Sequence, residues 1–321
     1  MSDDRLRVLI VANMYPTPAR PAFGVFVADQ VAALRAGGDV DVELFTWDAG
    51  GRPWRYATAA LELALRRTRA DVVHAHYGLS GAVALAAPTR APLVLTVHGR
   101  DCYHPVVKRV TALVARRAAA VVAVSDELAG RCPFPVRAVV PPGVDLELFR
   151  PLPRSEARAR LCLVDDPARR LVVFPADPAR PEKRFADAAA LAACVAAARP
   201  GVELRPVFGR PRAEMPLWLN AADAVIVTSQ REGYGLACVE ALACDVPVLS
   251  TPVGIAPRLL PGVEGCLCAP FDATRWATHL ETLLDGDRRV AGRAAAETQG
   301  LAASARRLVE LYRELRRDAT R

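Results

Sequence analysis

The residues of this chain best suited to chemistry on a polar ligand are two glutamates, Glu232 and Glu240, in the segment "SQREGYGLACVEALACDVPVLSTPVG". Glu240 lies inside an apolar run that predicts a helix, and an ionised glutamate there is costly unless water or hydrogen-bond donors reach it. A ligand with neighbouring hydroxyls, such as a ribose diol, would supply those donors. Glu232 precedes the helix at the tip of a predicted strand, where Gly233 and Gly235 leave room for a ligand. The alternative, which spacing alone favours, places Glu240 on a solvated face and lets Glu232 complement the helix dipole.

A second candidate group is cationic and lies in the loop "VFPADPARPEKRF", between a predicted strand and a predicted helix. Lys183 in this loop is one of only two lysines in the chain, the other being Lys108, whereas arginine fills nearly every other basic position. A lysine therefore indicates that a compact ammonium group is required there. Arg180 and Arg184 flank it, and such a cluster at a helix N-terminus suits a diphosphate.

Two further candidates follow predicted strands in the first half of the chain. His98 ends the strand in "TVHGRD", and the Gly-Arg-Asp that follows favours a role in a site over a packing role. The loop "NMYPTPARPAFGVF" lacks the G-x-G-x-x-G turn, which counts against a dinucleotide cofactor. Gly24 in this loop opens a helix that either binds an anion through its free N–H groups or simply permits a turn. His74 and His76, in "HAHY", are interpreted first as structural residues.

The elements that must position these residues alternate between short β-branched runs and Ala/Leu-rich helical stretches. The runs that predict strands are "RVLIVA", "VDVELFT", "DVVHAHY", "PLVLTVHG", "AVVAVS" and "VRAVVP", then "RLVVFP", "VELRPVF", "DAVIVTS", "DVPVLST" and "GCLCAP". Strands that are apolar throughout and separated by helices imply parallel sheets covered on both faces. We predict an α/β fold of two Rossmann-like domains, residues 1–150 and 151–300, followed by an amphipathic helix over 301–321. Ligands of such sheets bind beyond the carboxyl ends of the strands, where the candidate residues fall.

Composition limits the function classes. The net charge of +7 suits an acidic partner, but no basic stripe interleaved with aromatic residues points to nucleic acid. Basic patches at residues 66–69 and 108–117 are interpreted as solvated helix faces in preference to a membrane-docking patch. No apolar run reaches the roughly 20 residues of a membrane helix, and the first residues are acidic, so we expect a cytoplasmic protein. The eight cysteines and five histidines show no metal spacing, and the cysteines are expected to be small buried hydrophobes.

The segment "EGYGLACVE" resembles the E-x7-E signature of family 4 glycosyltransferases, which are retaining enzymes of the GT-B fold. The segments "NMYPTPARPAFGVFVADQVAAL", "DVVHAHY", "LVLTVHGRD", "VVAVSDELA", "VVPPGVDLELFRP" and "RPEKRF" are similar to that family in the expected order. The resemblance covers nearly the whole chain. Within the family, the chain is similar to bacterial transferases that build cell-wall and capsular polymers. It implies two Rossmann-like domains whose parallel sheets face a central cleft, with the last helix crossing back onto the first domain.

The resemblance also assigns roles to residues. It implies that Glu232 contacts hydroxyls of the donor sugar, that Glu240 binds the nucleotide ribose, and that Lys183 holds the diphosphate with help from the backbone near Gly24. His98 would approach the sugar or phosphate. No metal and no cofactor are expected beyond the nucleotide-diphosphate sugar that serves as donor. Retention would follow from front-face attack, in which a donor phosphate oxygen takes the proton of the acceptor.

The implied activity is transfer of a hexose from a nucleotide-diphosphate sugar to a glycan or to a lipid-linked acceptor, with a peripheral contact to the inner membrane. The alternatives are a nucleotide-sugar epimerase or glycan phosphorylase, and a catalytically silent GT-B protein that binds a partner. The silent alternative is supported by a short segment between Lys183 and Glu232. Separately, the stretch "FPADPARPEK" lacks the Gly-Arg pair common in the family. Either Arg180 or Arg184 replaces the missing arginine, or the phosphate is bound more weakly.

Overall fold

A computed structural model describes residues 5–166, 168–286 and 289–320 of the chain. These residues divide into two compact units. Unit 1 contains residues 5–19, Phe23–Gly143 and 301–320, and unit 2 contains Arg20–Ala22 and the described part of Val144–Gly300. No helix of the described residues is both long enough and apolar enough to span a membrane.

Unit 1 is built on six strands, all parallel. They are β1 (Leu6–Ala12), β2 (Val40–Thr46), β3 (Val72–His76), β4 (Leu93–Val97), β5 (Ala120–Ala123) and β6 (Ala138–Val139). Their order in the sheet is β2-β1-β3-β4-β5-β6. Residues of β3, β4 and β5 are buried throughout, because helices cover both faces of the sheet.

The helices of unit 1 form two layers. They are α1 (Val25–Ala36), α2 (Trp54–Leu65), α3 (Gly78–Ala84), α4 (Arg100–Tyr103), α5 (Pro105–Ala115), α6 (Asp126–Arg131) and, from the end of the chain, α14 (Leu301–Ala319). Helices α1 and α14 pack together on the face of the sheet that carries Val94, while α3 and α5 lie over Leu95 on the opposite face, with α2 beside α3. The buried stripe of α14 includes Leu308, Tyr312 and Leu315, at the spacing of one helix face.

Unit 2 is built on five parallel strands, namely β7 (Arg170–Phe174), β8 (Val202–Pro206), β9 (Ala224–Val227), β10 (Val248–Ser250) and β11 (Leu267–Cys268). Their order is β11-β10-β9-β7-β8. The helices are α7 (Arg154–Arg160), α8 (Phe185–Ala198), α9 (Met215–Ala221), α10 (Leu236–Ala243), α11 (Ala256–Leu259), α12 (Ala273–Leu284) and α13 (Arg293–Glu297). Strands β7 and β9 pack their apolar side chains against α8 and α12. All eleven strands predicted from the sequence are therefore present, and the expectation of two parallel α/β sheets is confirmed.

A buried ionic network holds α7 to the sheet of unit 2. Asp223, just before β9, accepts hydrogen bonds from Arg158 Nη2 at 2.8 Å and from the backbone N–H of Leu171 at 2.7 Å. The Arg158 and Asp223 side chains are only 3% and 5% exposed. Arg158 also pairs with Asp165, and Asp223 with Arg154 and Arg170, so both buried charges are balanced by the network and not by bulk water.

The cysteines are all free thiols, and the expectation that they are buried is only partly right. Cys102, Cys238 and Cys244 are buried, whereas Cys162 and Cys194 are exposed. Both exposed thiols occupy surface positions, Cys162 in the turn after α7 and Cys194 on the outer side of α8. Sequence spacing alone did not distinguish these positions from core positions.

Candidate active site

The candidate residues of unit 2 lie at the point where the strand order of its sheet reverses. Strand β7 has β8 on one side and β9 on the other, so the connections that follow β7 and β9 leave in opposite directions. Open α/β sheets bind ligands beyond the carboxyl ends of the strands at such a point. The loop after β7 carries Lys183, and the loop after β9 carries Glu232.

Lys183 and Glu232 form an ion pair at this position. Lys183 ends a short 3-10 turn, Pro181–Lys183, and its Nζ lies 2.6 Å from Glu232 Oε1. The two side chains are 13% and 16% exposed, so the pair is only partly screened by water. Glu232 Oε1 also accepts a hydrogen bond from Ser229 Oγ at 2.7 Å. A lysine ammonium has three donor hydrogens, so the ion pair leaves Lys183 able to bind a further anion.

Hydrogen bonds to the main chain fix the two loops against each other. The Thr228 hydroxyl donates to the carbonyl oxygens of Lys183 and Arg184, at 2.9 and 3.0 Å. The backbone N–H of Gln230 donates to the carbonyl of Glu182 at 2.8 Å. The position of Lys183 relative to Glu232 is thus set by the backbone as well as by the ion pair.

Glu240 lies in the middle of α10 and is 5% exposed. Its carboxylate forms an ion pair with Arg212, which begins a 3-10 turn after β8. The Arg212 guanidinium lies over the Phe149 ring, 4.4 Å from its centroid, and this stacking holds the arginine in place. The interpretation of Glu240 as a residue of a solvated helix face is therefore wrong.

Two glycines shape the backbone around Glu232. Gly235 precedes α10 with φ 92°, a conformation that favours glycine. Gly254 has φ 56°, and a Cβ there would lie 2.3 Å from the Tyr234 carbonyl oxygen and 3.2 Å from Glu232 Cβ. Residue 254 therefore packs on the main chain of Tyr234, beside Glu232, more closely than any side chain there would allow. Gly233 lies in the loop between Glu232 and α10 and is partly buried.

In unit 1, His98 is the first residue after β4 and is held by contacts to its main chain and its ring. Its backbone N–H donates to Asp101 Oδ2 at 2.8 Å, while Asp101 Oδ1 accepts from the backbone N–H of Gly78 at 2.6 Å. The Asp101 carboxyl is fully buried, and this burial raises its pKa. Asp101 therefore joins the loops that follow β3 and β4. The Phe26 ring of α1 lies against the His98 ring, with 4.8 Å between centroids.

His98 belongs to a group of three histidines, His74, His76 and His98, which we call the histidine cluster. His76 Nδ1 lies 3.1 Å from His98 Nε2. His74 contacts the Tyr312 hydroxyl through Nδ1 at 2.5 Å and the Thr96 hydroxyl through Nε2 at 2.7 Å. Burial lowers the pKa of His76 to about 3 and holds the pKa values of His74 and His98 well below 6.5, so all three rings are neutral near neutral pH.

Gly24 immediately precedes α1 with φ 73°. A Cβ at this position would lie 2.3 Å from the Met14 carbonyl carbon and 2.7 Å from the backbone nitrogen of Tyr15. The loop that follows β1 therefore packs directly on the start of α1. The close packing of this loop requires glycine at position 24 whether or not a ligand binds there.

Comparison of the sequence with known protein families shows to which family the chain belongs. The sequence model named Glycosyltransferase Family 4 matches residues 3–148, and the model named Glycosyl transferases group 1 matches residues 163–286. A D-inositol 3-phosphate glycosyltransferase of Thermobispora bispora is 32% identical over 303 residues, which cover 77% of this chain and 71% of that protein. The chain belongs to the family 4 glycosyltransferases. A D-inositol 3-phosphate glycosyltransferase of Catenulispora acidiphila is also 32% identical, over 311 residues that cover 76% of this chain and 72% of that protein.

The solved structures similar to this glycosyltransferase show the same fold. Sucrose-phosphate synthase from Thermosynechococcus elongatus has a TM-score of 0.77 at 19% identity, over 97% of this chain and 99% of that one. Anabaena HepE, solved in complex with UDP-glucose, has a TM-score of 0.71 at 19% identity, over 97% and 100% of the two chains. The GT-B fold expected from the resemblance is thereby confirmed.

The structure of the glycosyltransferase brings some candidate residues together and not others. Lys183 meets Glu232, but Arg180 pairs with Glu182 through Nε at 2.9 Å, and Arg184 pairs with Asp187 at 2.6 Å. The Arg180 and Arg184 side chains are 57% and 47% exposed. The predicted cluster of three cations is thus one partly buried lysine flanked by two surface ion pairs.

Sequence reasoning missed Arg212 and did not reveal the contact between His76 and His98. Arg212 lies in the loop after β8, "GRPRAEM", at the same end of the sheet as Lys183, so its position after a strand was the available signal. No sequence rule shows that this loop reaches Glu240. His74 and His76 were both interpreted as structural. Both nitrogens of His74 have partners inside the fold, and the buried ring of His76 contacts His98.

Proposed function

We propose that this glycosyltransferase is a metal-independent, retaining hexosyltransferase that takes its sugar from a nucleotide-diphosphate sugar. The observation that carries the proposal is the Lys183–Glu232 pair at the strand reversal of unit 2. A partly buried ammonium beside a carboxylate suits a donor that presents both a diphosphate and sugar hydroxyls. The HepE complexes with UDP-glucose and UDP, at TM-scores of 0.71 and 0.67, support a nucleotide donor through the shared fold.

In this proposal each part of the donor has a partner in unit 2. The Lys183 ammonium binds the diphosphate and stabilises the negative charge that develops on it as the glycosidic bond breaks. The Glu232 carboxylate accepts hydrogen bonds from hydroxyls of the sugar, and Glu240 accepts from the ribose diol. Glu240 already has Arg212 as a partner, so its carboxylate is held in a fixed orientation before the ribose binds. The cation that neutralises the leaving group is then a side chain, and no metal ion is needed.

The reaction proposed is a front-face displacement. The acceptor oxygen forms a bond to the anomeric carbon while the bond from that carbon to the phosphate oxygen breaks. The departing phosphate takes the acceptor's proton, so the products are the glycoside and the nucleoside diphosphate. Glu232 positions the sugar without attacking it. His98 contacts the sugar or the phosphate, which is the role that the resemblance to family 4 implies for it. Gly24, Gly233 and Gly235 allow backbone N–H groups to approach the donor.

The test is a nucleotide-release assay with a panel of nucleotide-diphosphate sugars, starting with UDP-glucose, in the presence of a chelator. At least one donor is expected to give turnover with net retention, and Glu232→Gln is expected to abolish it without loss of folding. Glu203→Gln, which removes a surface carboxylate on β8 paired with Arg205, is the matched control. Full activity of Glu232→Gln would contradict the role of Glu232, and no donor binding at all would favour the catalytically silent alternative.

We further propose that the acceptor is lipid-linked, in cell-wall or polysaccharide synthesis, and that the protein works at the cytoplasmic face of the inner membrane. Unit 1 has a helical face that fits an anionic bilayer. Trp54, Leu61 and Leu65 form one exposed stripe on α2, opposite its buried residues, and are 57%, 63% and 78% exposed. Val106 and Leu113 form a similar exposed stripe on α5, and α3 lies between the two helices.

The charged residues around the two exposed stripes indicate what kind of surface binds there. Residues 52–69 contain five arginines and one glutamate, and residues 105–117 contain four basic residues and no acidic one. Apolar side chains framed by basic ones match an interface of acyl chains and anionic headgroups. A second copy of the chain on this face would bring basic residues against basic residues. We call this surface the α2–α5 face.

Vesicle sedimentation tests the α2–α5 face. The protein is expected to bind vesicles that contain phosphatidylglycerol and not vesicles of phosphatidylcholine alone. Added salt is expected to release it from the anionic vesicles. Replacing Trp54 and Leu65 with serine should weaken binding, whereas Val164→Ser, an exposed apolar residue of unit 2, should not. Equal binding of both variants would contradict the proposal, and loss of a dimer on replacing Trp54 and Leu65 would assign the face to a second copy instead.

A further inference from the structure

The geometry of the histidine cluster points to His76 as the positioning residue that fixes the tautomer of His98, so that His98 presents a neutral Nδ1–H to the reacting sugar. His76 is the last residue of β3, and His98 follows the end of the neighbouring strand β4. Their rings are inclined by only 22°, and the atoms that meet are His76 Nδ1 and His98 Nε2, 3.1 Å apart. This inference rests on the proposed role of His98 and adds the residue that controls it.

Only one proton lies between these two nitrogens. Burial holds the pKa of both rings below the ordinary value, and a second positive charge beside a buried imidazolium would be costly. Both rings are therefore neutral, and each carries its proton on one nitrogen. Either His76 donates through Nδ1–H to a bare His98 Nε2, or His98 donates through Nε2–H to a bare His76 Nδ1.

The surroundings of His76 decide between these two arrangements. His76 is 1% exposed, and its second nitrogen, Nε2, has no hydrogen-bond partner among the described residues. If His98 were the donor, the proton of His76 would be on Nε2 as a buried donor with no acceptor. Buried N–H groups without an acceptor are rarer in folded proteins than acceptors left without a donor. The proton of His76 is therefore on Nδ1, and His76 donates to His98.

This arrangement has one consequence at the site. With its Nε2 bare and engaged by His76, His98 carries its own proton on Nδ1, which diverges from His76 across the ring. The Asp101 carboxylate fixes the main chain of His98, and His76 fixes its ring. His98 then acts as a hydrogen-bond donor to an oxygen of the sugar or phosphate and does not serve as a general base at Nδ1.

Nitrogen-15 NMR of the histidine side chains tests the tautomers directly, in the wild-type protein and without substrate. The chain has five histidines, so His98→Gln and His76→Asn assign the two signals by their disappearance. The expected result near neutral pH is a protonated Nδ1 and a bare Nε2 for both His76 and His98. A protonated Nε2 on His98 would overturn the inference even if the enzyme transfers sugar normally. The expected tautomers in a protein that turns over no donor would leave the inference intact and refute the proposed function.

Two variants extend the test to activity. His76→Leu removes the donor and is expected to lower kcat/KM about tenfold, the loss of one hydrogen bond in the transition state. His76→Asn places an amide N–H where Nδ1–H lies and is expected to restore most of that loss. His104→Asn, which retains a side chain able to cap α5, is the control for histidine replacement. Equal activity losses in the Leu and Asn variants, at equal thermal stability, would count against the hydrogen-bond role.

Discussion

Replacing Lys183 with methionine removes the ammonium group and keeps a side chain of similar length. In the structure this ammonium lies 2.6 Å from Glu232 Oε1, and the two side chains are 13% and 16% exposed. A hydrogen bond to a charged group at a site of this kind contributes about 1.5–3 kcal/mol. If one such bond goes to the diphosphate, its loss weakens donor binding by roughly 10- to 150-fold. The cost to folding is smaller, about 1 kcal/mol, because Glu232 keeps the Ser229 hydroxyl and some access to water.

Isothermal titration with the donor identified in the release assay measures this change, and thermal unfolding measures the cost to stability. Lys108→Met is the matched control, because Lys108 is the only other lysine and lies on α5 of unit 1. We expect Lys108→Met to bind the donor like the wild type. Donor affinity of Lys183→Met within twofold of the wild type would refute the diphosphate role. A loss of affinity accompanied by unfolding would show instead that the lysine is structural.

Three further predictions concern stability. Gly24→Ala should lower the free energy of unfolding, measured by urea denaturation, by roughly 2–4 kcal/mol, and Gly38→Ala by only about 1 kcal/mol. Both glycines have positive φ, but a Cβ at residue 38 meets nothing within 4 Å, whereas one at residue 24 clashes with Met14. Equal costs would contradict this clash. Asp223→Ala should cost about 3–5 kcal/mol because it removes the buried carboxylate of this network and leaves Arg158 with only the half-exposed Asp165 as an ionic partner among the described residues. A cost below about 1 kcal/mol would show that Asp165 and water are sufficient for this arginine. The pKa values of the histidine cluster are lower in the folded state than in the unfolded state, so the unfolded chain binds more protons as the pH falls. The three neutral histidines therefore stabilise the fold above about pH 6.5, and the free energy of unfolding should fall by about 4 kcal/mol between pH 7.5 and 5.5. Denaturation at the two pH values measures this difference. An unchanged free energy of unfolding would contradict neutral histidines in the folded state.

Much of the fold was predictable because its signal is local. Most strands contain a short run of apolar residues, many of them β-branched, and strands alternate with helical stretches, so the eleven strands could be located without knowing their neighbours. The positions of Lys183 and Glu232 after strands could also be predicted, because the chemistry of parallel sheets concentrates at their carboxyl ends.

The rest depends on tertiary contacts that leave no trace in local sequence. The order of the strands decides that the loops after β7 and β9 are neighbours, and only this order brings Lys183 to Glu232. Arg212 reaches Glu240 because the loop after β8 turns back toward α10, a contact across 28 residues. In the same way, His76 and His98 meet because β3 and β4 pair in a register that sequence alone does not give.

A crystal structure of the protein with the nucleotide sugar that passes the release assay would show directly whether Glu240, Lys183 and Glu232 bind the donor. We expect the ribose hydroxyls at the Glu240 carboxylate, the diphosphate at the Lys183 ammonium and the sugar hydroxyls at Glu232. A donor bound away from the carboxyl ends of β7 and β9, with no contact to these three side chains, would refute their proposed roles.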